Sequence, residues 1–102
     1  MTKYKITSVT WSPRASNDLK HIVDTIAQRW SKKDALLFIG KLEKSISSIT
    51  TLPKGFPLSK DKKGLRKCVI SKQTTLYYRH KSRQLEIIAL FDTRQNPIKA
   101  PK

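Results

Sequence analysis

His80 is the residue best suited by type to acid–base chemistry, because the unperturbed pKa of imidazole lies near neutrality. It follows Tyr78 and Arg79 in a strand-like run, so an aromatic ring and a cation stand beside it. A histidine that ends a hairpin in solvent would show the same pattern, and that alternative stays open. His21 and Cys68 have no metal-ligand spacing with His80, so we predict no metal site and no cofactor.

Arg94 is the second candidate for chemistry. It follows Asp92 by two positions, so the two side chains share one face of an extended strand. Two interpretations follow from this spacing. The residues form a structural ion pair at the end of the strand, or Arg94 is left to bind an anion such as a phosphate group.

The chain is strongly basic, with 22 lysines and arginines against 7 acidic residues and a net charge of +15. Residues 53–83 carry ten of the basic residues and a single acid. This excess predicts a polyanionic or acidic partner, which nucleic acid, the ribosome and an acidic protein would all satisfy. The basic residues that could form a phosphate-binding rim are Lys54, Lys60, Lys62, Lys63, Arg66 and Lys67. A solvated loop is the alternative for residues 60–63.

Tyr77 and Tyr78 point to opposite faces if their strand is regular. One of them then belongs to the core, and the other can stack on a base or pack on a partner protein. We assign Tyr78, with Arg79 beside it, to the binding surface.

The length of 102 residues predicts one domain with one core. Cys68 is the only cysteine, so an internal disulfide is excluded and a reducing compartment is expected. We expect no signal peptide, because no apolar run precedes the first strand-like run, and no stretch approaches the roughly 18 apolar residues of a membrane span. We therefore expect a cytoplasmic protein with no membrane partner.

Apolar spacing indicates the elements that position these residues. Residues 4–11 are rich in β-branched and aromatic types and predict a strand. Ser12 and Pro13 predict the start of a helix whose apolar residues recur every three or four positions to Trp30. Ser31 begins a second helix, with Asp34 three residues later as in a capping box, and Pro53 ends it.

Three strand-like runs follow, at 65–70, 75–80 and 85–92, with short polar joints typical of an antiparallel meander. The last run is almost continuously apolar, which favours a central strand. The tail 96–102 holds two prolines and is expected to be irregular. The order β-α-α-β-β-β predicts an α+β fold, with a helical hairpin on one face of a mostly antiparallel sheet and the other face free for a partner.

Several strings in this order resemble the RelE/ParE superfamily of toxins. Residues 11–15 (WSPRA) are similar to the family's entry into its first helix. Residues 65–67 (LRK), 76–79 (LYYR) and 87–94 (IIALFDTR) look like its successive strands, and 92–97 (DTRQNP) is similar to the ending of small ParE-like toxins. The resemblance covers nearly the whole chain. It implies the toxin half of a type II toxin–antitoxin pair, held inactive by an acidic antitoxin protein.

The resemblance implies two possible activities. RelE-type members cleave mRNA in the ribosomal A site, and ParE-type members inhibit DNA gyrase. In the RelE-type comparison, Arg94 matches an arginine that contacts the scissile phosphate, and Arg66 falls near a basic position. The arginine that stabilises the transition state aligns with Thr75, and the C-terminal tyrosine aligns near Ala100.

Two of the four RelE-type roles are therefore without a matching residue, which favours a ParE-like toxin directed at gyrase. The first alternative is a ribosome-dependent mRNA endonuclease that uses Arg94, Arg66 and His80. The second alternative is a nucleic-acid-binding module with no toxicity.

Overall fold

The computed structural model describes residues 6–60 and 64–94. The elements are β1 (Ser8–Trp11), α1 (Pro13–Arg29), α2 (Lys32–Thr51), β2 (Arg66–Val69), β3 (Thr74–Lys81) and β4 (Gln84–Asp92). This order confirms the predicted β-α-α-β-β-β arrangement. The opening strand is shorter than predicted, since it begins at Ser8, and its predicted first residues, like the predicted irregular tail, lie outside the described residues. No helix in the described ranges is long and apolar enough to cross a membrane.

The four strands form one mixed sheet in the order β1-β4-β3-β2. β4 pairs in parallel with β1 and antiparallel with β3, so the prediction that the last strand is central is confirmed. Both helices pack on one face of this sheet. The core between the layers contains Ile22 and Ile26 of α1, Phe38, Leu42 and Ile49 of α2, and Leu76, Tyr78, Leu85 and Ile87 of the sheet.

Two serines begin the two helices, as predicted. The Ser12 hydroxyl accepts a hydrogen bond from the backbone N–H of Ala15 at 2.9 Å, and the Ser31 hydroxyl accepts one from Asp34 at 3.0 Å. Each bond satisfies an amide that has no partner inside its helix. The Ser31 hydroxyl also donates to the Asp34 carboxylate at 2.9 Å, which completes the local cap.

A β-bulge at Ile88 shapes the middle of β4. Tyr77 pairs with Ala89 and Tyr78 with Ile87, so Ile88 is an extra residue in its strand. Such a bulge shifts the alternation of side chains by one position. The core-facing residues of β4 are therefore Leu85 and Ile87 before the bulge and Leu90 after it, whereas Ala89 pairs with Tyr77 and lies outside the core cluster.

Beyond the end of β1, side chains at the start of α1 form hydrogen bonds with the backbone of β4. The Ser12 hydroxyl donates to the Ile88 carbonyl at 2.6 Å, and the Asp18 carboxylate accepts from the Leu90 N–H at 3.0 Å. These side chains replace the ladder bonds that a longer first strand would make. The helix is thereby fixed in register with the strand that precedes Arg94.

Trp30, the last residue of the apolar pattern predicted for the first helix, is not a core residue. Trp30 is 55% exposed, because α1 ends at Arg29 and the capping residue leaves the helical conformation. Trp11 is half-buried against the core. Trp30 therefore presents an aromatic surface beside the start of α2.

Candidate functional site

Arg94 forms a cluster with Asp92 and Thr74 at the end of the sheet. Its Nε donates to one Asp92 oxygen at 3.0 Å and its Nη2 to the other at 2.6 Å, and the Arg94 backbone N–H donates to the first at 2.8 Å. The Thr74 hydroxyl donates to Asp92 and accepts from Nη2 of Arg94 at 3.3 Å. The structural ion pair is therefore present.

Burial and hydrogen bonding shift the pKa values of Asp92 and Arg94 in this cluster. Asp92 is 2% exposed and Thr74 is fully buried, whereas the Arg94 side chain keeps 20% of its surface in solvent. Burial alone would raise the pKa of Asp92, but the hydrogen bonds from Arg94 and Thr74 outweigh it and lower that pKa. The bonds to Asp92 raise the pKa of Arg94 against the opposing effect of burial. The folded chain thus holds both groups in their charged forms.

Two aromatic rings flank the guanidinium of Arg94. Its central carbon lies 5.8 Å from the centre of the Trp30 ring and 5.9 Å from that of Phe38. Both distances fall within the range of a cation–π contact. One ring comes from the end of α1 and the other from α2, so Arg94 connects the helical hairpin to the sheet.

These groups form one wall of an open cleft of about 460 Å³. The apolar part of the lining consists of Ile26, Trp30, Leu37 and Phe38, and the polar part of Asp34, Lys41, Ser71, Gln73 and Arg94. Nη1 of Arg94 makes no hydrogen bond within the described residues. The cleft therefore combines an apolar wall with one oriented guanidinium and one lysine, which suits a ligand carrying both an apolar and an anionic group.

Tyr78 is a core residue, so its predicted place on the binding surface is wrong. It is fully buried, and its hydroxyl donates to the Pro53 carbonyl at 2.6 Å. Its ring meets the ring of Phe56 edge to face, with 6.3 Å between centroids. Tyr77, on the opposite face, is half-buried. Burial raises the pKa of Tyr78 to about 12, and the charge of Arg66 opposes this shift without cancelling it.

Arg66 holds the loop that follows α2. Its Nη1 donates to the Phe56 carbonyl at 2.6 Å and lies 3.5 Å from the Lys54 carbonyl. Two backbone bonds fix the same loop to β2, from Lys67 to Pro57 and from Ser59 to Leu65. Arg66 is thus engaged in supporting the backbone of the basic loop.

His80 and Arg79 lie at the far end of β3 from Arg94. A His80 ring nitrogen lies 2.8 Å from the Ser82 carbonyl, in the turn that joins β3 to β4. Arg79 forms a partly exposed ion pair with Glu86 at 3.7 Å. Thr74, which touches Arg94, is six residues from His80 along the strand, or about 20 Å. The structure therefore does not bring His80 and Arg94 together.

The remaining predicted basic residues lie around the loop after α2. Lys54 and Lys60 are exposed and Lys67 is half-buried on β2. Lys62 and Lys63 lie outside the described residues. Arg66 pairs with Tyr78, four residues from Thr74 and about 13 Å along β3, so the loop is separate from the Arg94 cluster.

Sequence reasoning missed two features of the cleft. Thr74 directly opposes Asp92 in the antiparallel register, and a buried threonine opposite a carboxylate is a signal that only strand pairing provides. Lys41 and Leu37 reach the cleft from α2, where they occur among ordinary helix positions. Cys68 is 5% exposed with a raised thiol pKa caused by burial, as expected of a small core residue.

Comparison with known structures places this fold among small bacterial toxins. It superposes on the chromosomal ParDE system of P. aeruginosa with a TM-score of 0.73 and 17% identity, over 86% of this chain and 97% of that one. The YoeB/ParE toxin of Agrobacterium tumefaciens gives 0.60 and 19%, over 84% and 98%. The E. coli DinJ-YafQ toxin-antitoxin complex gives 0.57 and 18%, over 84% and 91%. At these identities the comparison shows the fold alone.

The α+β fold with its helical hairpin is thus that of the RelE/ParE superfamily, the class of type II toxins. Residues 9–97 match the family described as the ParE toxin of the type II toxin-antitoxin system parDE, and the chain belongs to that family. A search of curated proteins gave no match. Membership of this toxin family argues against the second alternative, in which the chain is a nucleic-acid-binding module with no toxicity.

Proposed function

We propose that this toxin arrests growth by inhibiting DNA gyrase, and that an acidic antitoxin protein neutralises it in the cytoplasm. The observation that carries the proposal is that Thr74, which contacts Arg94, lies about 20 Å along β3 from His80 and about 13 Å from Tyr78, the residue that pairs with Arg66. Cleavage of RNA needs a base, an acid and phosphate-binding cations within reach of one phosphodiester. These three residues do not meet that requirement.

The hydrogen bonds of the candidate residues support the same conclusion. Arg94 uses its Nε and Nη2 on Asp92, and Arg66 uses its Nη1 on the loop carbonyls. Thr75 stands where the RelE-type comparison expects a transition-state arginine. Loss of one such contact costs about 10²–10³ in rate, so little cleavage would remain.

The second candidate function, ribosome-dependent mRNA cleavage, is favoured by the charge. A net charge of +15 suits ribosomal RNA, and Lys54, Lys60 and Lys67 lie around one loop edge. An RNA target would draw on these lysines for binding. His80, the acid–base residue of that alternative, would still lie far from Arg94.

The antitoxin part of the proposal draws on the solved relatives and on charge. YafQ of E. coli has been solved as a toxin-antitoxin complex with DinJ. A toxin of net charge +15 would be matched by an acidic partner, which also reduces its self-repulsion.

Pulse-labelling after induction in a bacterial host tests the proposal. We expect growth arrest that begins with DNA synthesis, induction of the DNA-damage response, and uncut mRNAs by primer extension. Purified gyrase should lose supercoiling activity in the presence of the toxin. Arrest of protein synthesis within minutes, with cuts in phase with codons, would instead establish the nuclease. Normal growth under verified expression of folded protein would remove both candidates.

His80→Ala provides a companion variant. The gyrase proposal predicts undiminished toxicity, since His80 lies in a hairpin turn away from the Arg94 cluster. The nuclease alternative predicts a loss of about 10²-fold or more in cleavage if His80 is the acid or base.

A further inference from the structure

The end of the sheet at the β3–β4 turn carries exposed cations. Lys81 and Arg83 lie on either side of Ser82 in this turn, and Arg79 is two residues before Lys81 on β3. All three basic side chains are exposed. Because β4 is nine residues long and ends beside the Arg94 cluster, this end of the sheet lies about 25 Å from that cluster.

Lys60 lies at the same end of the sheet and is also exposed. Its neighbour Ser59 donates a backbone hydrogen bond to the Leu65 carbonyl at 2.7 Å. Leu65 lies just outside the pair formed by Arg66 and Tyr78, on the side of the β3–β4 turn. We call the surface formed by these four cations the basic end; its residues are Lys60, Arg79, Lys81 and Arg83.

Few acidic residues oppose the charge of the basic end. Among the described residues that follow α2, the acids are the buried Asp92 and Glu86. Glu86 lies 3.7 Å from Nη1 of Arg79, but both side chains are about half exposed, so the pair is weak and Arg79 stays accessible. The other described acids belong to α1 and α2. Residues 61–63, outside the described ranges, add two lysines and one aspartate to the sequence.

The turn holds its cations in fixed positions. Lys81 pairs with Gln84, so Ser82 and Arg83 alone connect the strands. Ser82 has a φ of 55°, as the first central residue of the favoured two-residue hairpin turns requires. The Arg83 carbonyl accepts a hydrogen bond from the N–H of Thr7 at 2.8 Å, which attaches the turn to the segment before β1. The backbone that carries Lys81 and Arg83 is therefore fixed before a partner binds.

The composition of the basic end fits a nucleic acid better than a protein. Residues 81–84 include no apolar side chain, whereas protein interfaces need apolar anchors at their centre. Protein–DNA interfaces are more polar and much more positively charged. Arg79 and Lys81 share one face of β3 and lie about 7 Å apart. Since the phosphates of one DNA strand follow each other at about 3.4 Å along the duplex axis, the two cations can neutralise separate phosphates.

We propose that the basic end binds the phosphate backbone of the duplex DNA on which gyrase acts. The toxin then engages gyrase and its DNA together, with the basic end on the DNA and the Arg94 cleft directed elsewhere. The inference rests on the proposed function, because gyrase is what brings the toxin to DNA. Ribosomal RNA and an acidic protein are the other partners that such a charge attracts.

Two double variants that lose equal charge test the DNA contact. Lys81→Gln with Arg83→Gln, the basic-end variant, removes two charges from the turn. The control, Lys32→Gln with Lys33→Gln, removes two exposed charges from the start of α2, close to Asp34 of the Arg94 cleft. Their affinities for a short labelled DNA duplex are measured by fluorescence anisotropy at several salt concentrations. Loss of two phosphate contacts should reduce the slope of log affinity against log salt by about 1.8 in the basic-end variant.

The control should keep the slope of the wild type, and circular dichroism melting should show that both variants fold. Lys81→Arg with Arg83→Lys keeps the charge of the turn and should keep the DNA affinity. Equal losses in the basic-end variant and the control would mean that DNA binding follows the total charge of the chain, which would overturn the basic end as its site.

Supercoiling assays with purified gyrase connect the DNA contact to toxicity. The basic-end variant should need about tenfold more protein than the wild type for equal inhibition, because it lacks two phosphate contacts in the complex of gyrase and DNA. The control should inhibit as the wild type does. Binding to gyrase in the absence of DNA should be the same for all three proteins, and a loss there in the basic-end variant would mean that the basic end contacts gyrase itself and not DNA.

The outcomes separate this inference from the proposed function. Unchanged DNA affinity of the basic-end variant, in a toxin that still inhibits gyrase, overturns the DNA contact and leaves the function intact. Failure of the wild-type chain to inhibit gyrase overturns the proposed function and the inference with it. Cuts in mRNA that the basic-end variant no longer makes would identify RNA as the polyanion. Faster release of the antitoxin by this variant would identify an acidic protein, and either result overturns the assignment to DNA.

Discussion

Arg94 binds both carboxylate oxygens of Asp92, two residues before it, at 3.0 and 2.6 Å. The carboxylate is buried and also accepts a hydrogen bond from Thr74 on the neighbouring strand. The same guanidinium lies within 6 Å of the centres of two rings from the helical hairpin. One side chain therefore connects the last strand, the third strand and both helices.

Arg94→Ala is expected to destabilise the fold. It leaves the buried Asp92 charge without its cation, and breaking a buried pair in this way costs about 3 kcal/mol. For a domain of this size the melting temperature should fall by roughly 10 °C or more. Circular dichroism melting of Arg94→Ala and of the charge-conserving Arg94→Lys measures the effect, with a smaller loss in the lysine variant.

The toxicity of Arg94→Ala distinguishes a structural role of Arg94 from a role in target binding. A variant that melts lower yet arrests growth at equal levels of folded protein would make Arg94 a structural partner of Asp92 alone. A variant that melts as the wild type does and loses toxicity would contradict the stability prediction and assign Arg94 to target binding.

The pKa of Asp92 predicts acid sensitivity. Because folding lowers this pKa below its ordinary value of 3.8, the ion pair stabilises the fold fully above about pH 4–5. That contribution is lost as pH falls through the folded-state pKa. In urea unfolding from pH 6 to pH 2, the free-energy difference between wild type and Asp92→Asn should shrink below pH 4. A constant difference over this range would show that Asp92 does not titrate as the structure requires.

The elements were predictable because their signals are local. Ser12 and Ser31 cap helices in the structure as their neighbouring sequences indicate. The spacing of Asp92 and Arg94 places them on one face of a strand. It does not decide between an ion pair and a free arginine, because the contacts of both residues with the buried Thr74 depend on strand pairing. Local sequence carries no information about which side chain will stand opposite in the next strand.

The binding surface was predicted less well because it depends on which strand face meets the helices. A shift of one residue exchanges the two faces of a strand, so the sequence could not decide between Tyr77 and Tyr78. The strand pairing also separates His80, opposite Leu85, from Thr74, opposite Asp92. Trp30 lies outside the core because α1 ends one residue before it. The spacing of apolar residues does not determine where a helix ends.

Tyr78→Phe should lower stability by about 1–2 kcal/mol, because the buried Pro53 carbonyl loses its donor. The variant should also remove a titration step near pH 12 from the ultraviolet spectrum of the folded chain. Since folding raises the pKa of Tyr78 above its ordinary value of 10, this contribution is present below pH 10 and is lost as pH rises towards 12. If Tyr78→Phe and the wild type gave the same ultraviolet titration at high pH, Tyr78 would not be buried.

Antitoxin association should depend strongly on salt. A net charge of +15 attracts an acidic protein over distances that salt shortens, from a Debye length of about 10 Å at 0.1 M to about 3 Å at 1 M. The association rate constant, followed by stopped-flow Trp fluorescence, should fall at least about tenfold over this range. The dissociation rate constant should change much less, because short-range contacts within the complex control it.

Two double variants that each remove two charges distinguish electrostatic steering, which affects association, from contacts in the complex, which affect dissociation. Lys41→Gln with Lys44→Gln removes two charges from α2, where Lys41 lines the Arg94 cleft, and Lys81→Gln with Arg83→Gln removes two from the region of the β3–β4 turn. Both should slow association to a similar extent, since steering follows the charge of the whole protein. Only the first should also speed dissociation, because it alone removes contacts made in the complex. Faster dissociation in the second variant, or association equally fast at low and high salt, would contradict this account.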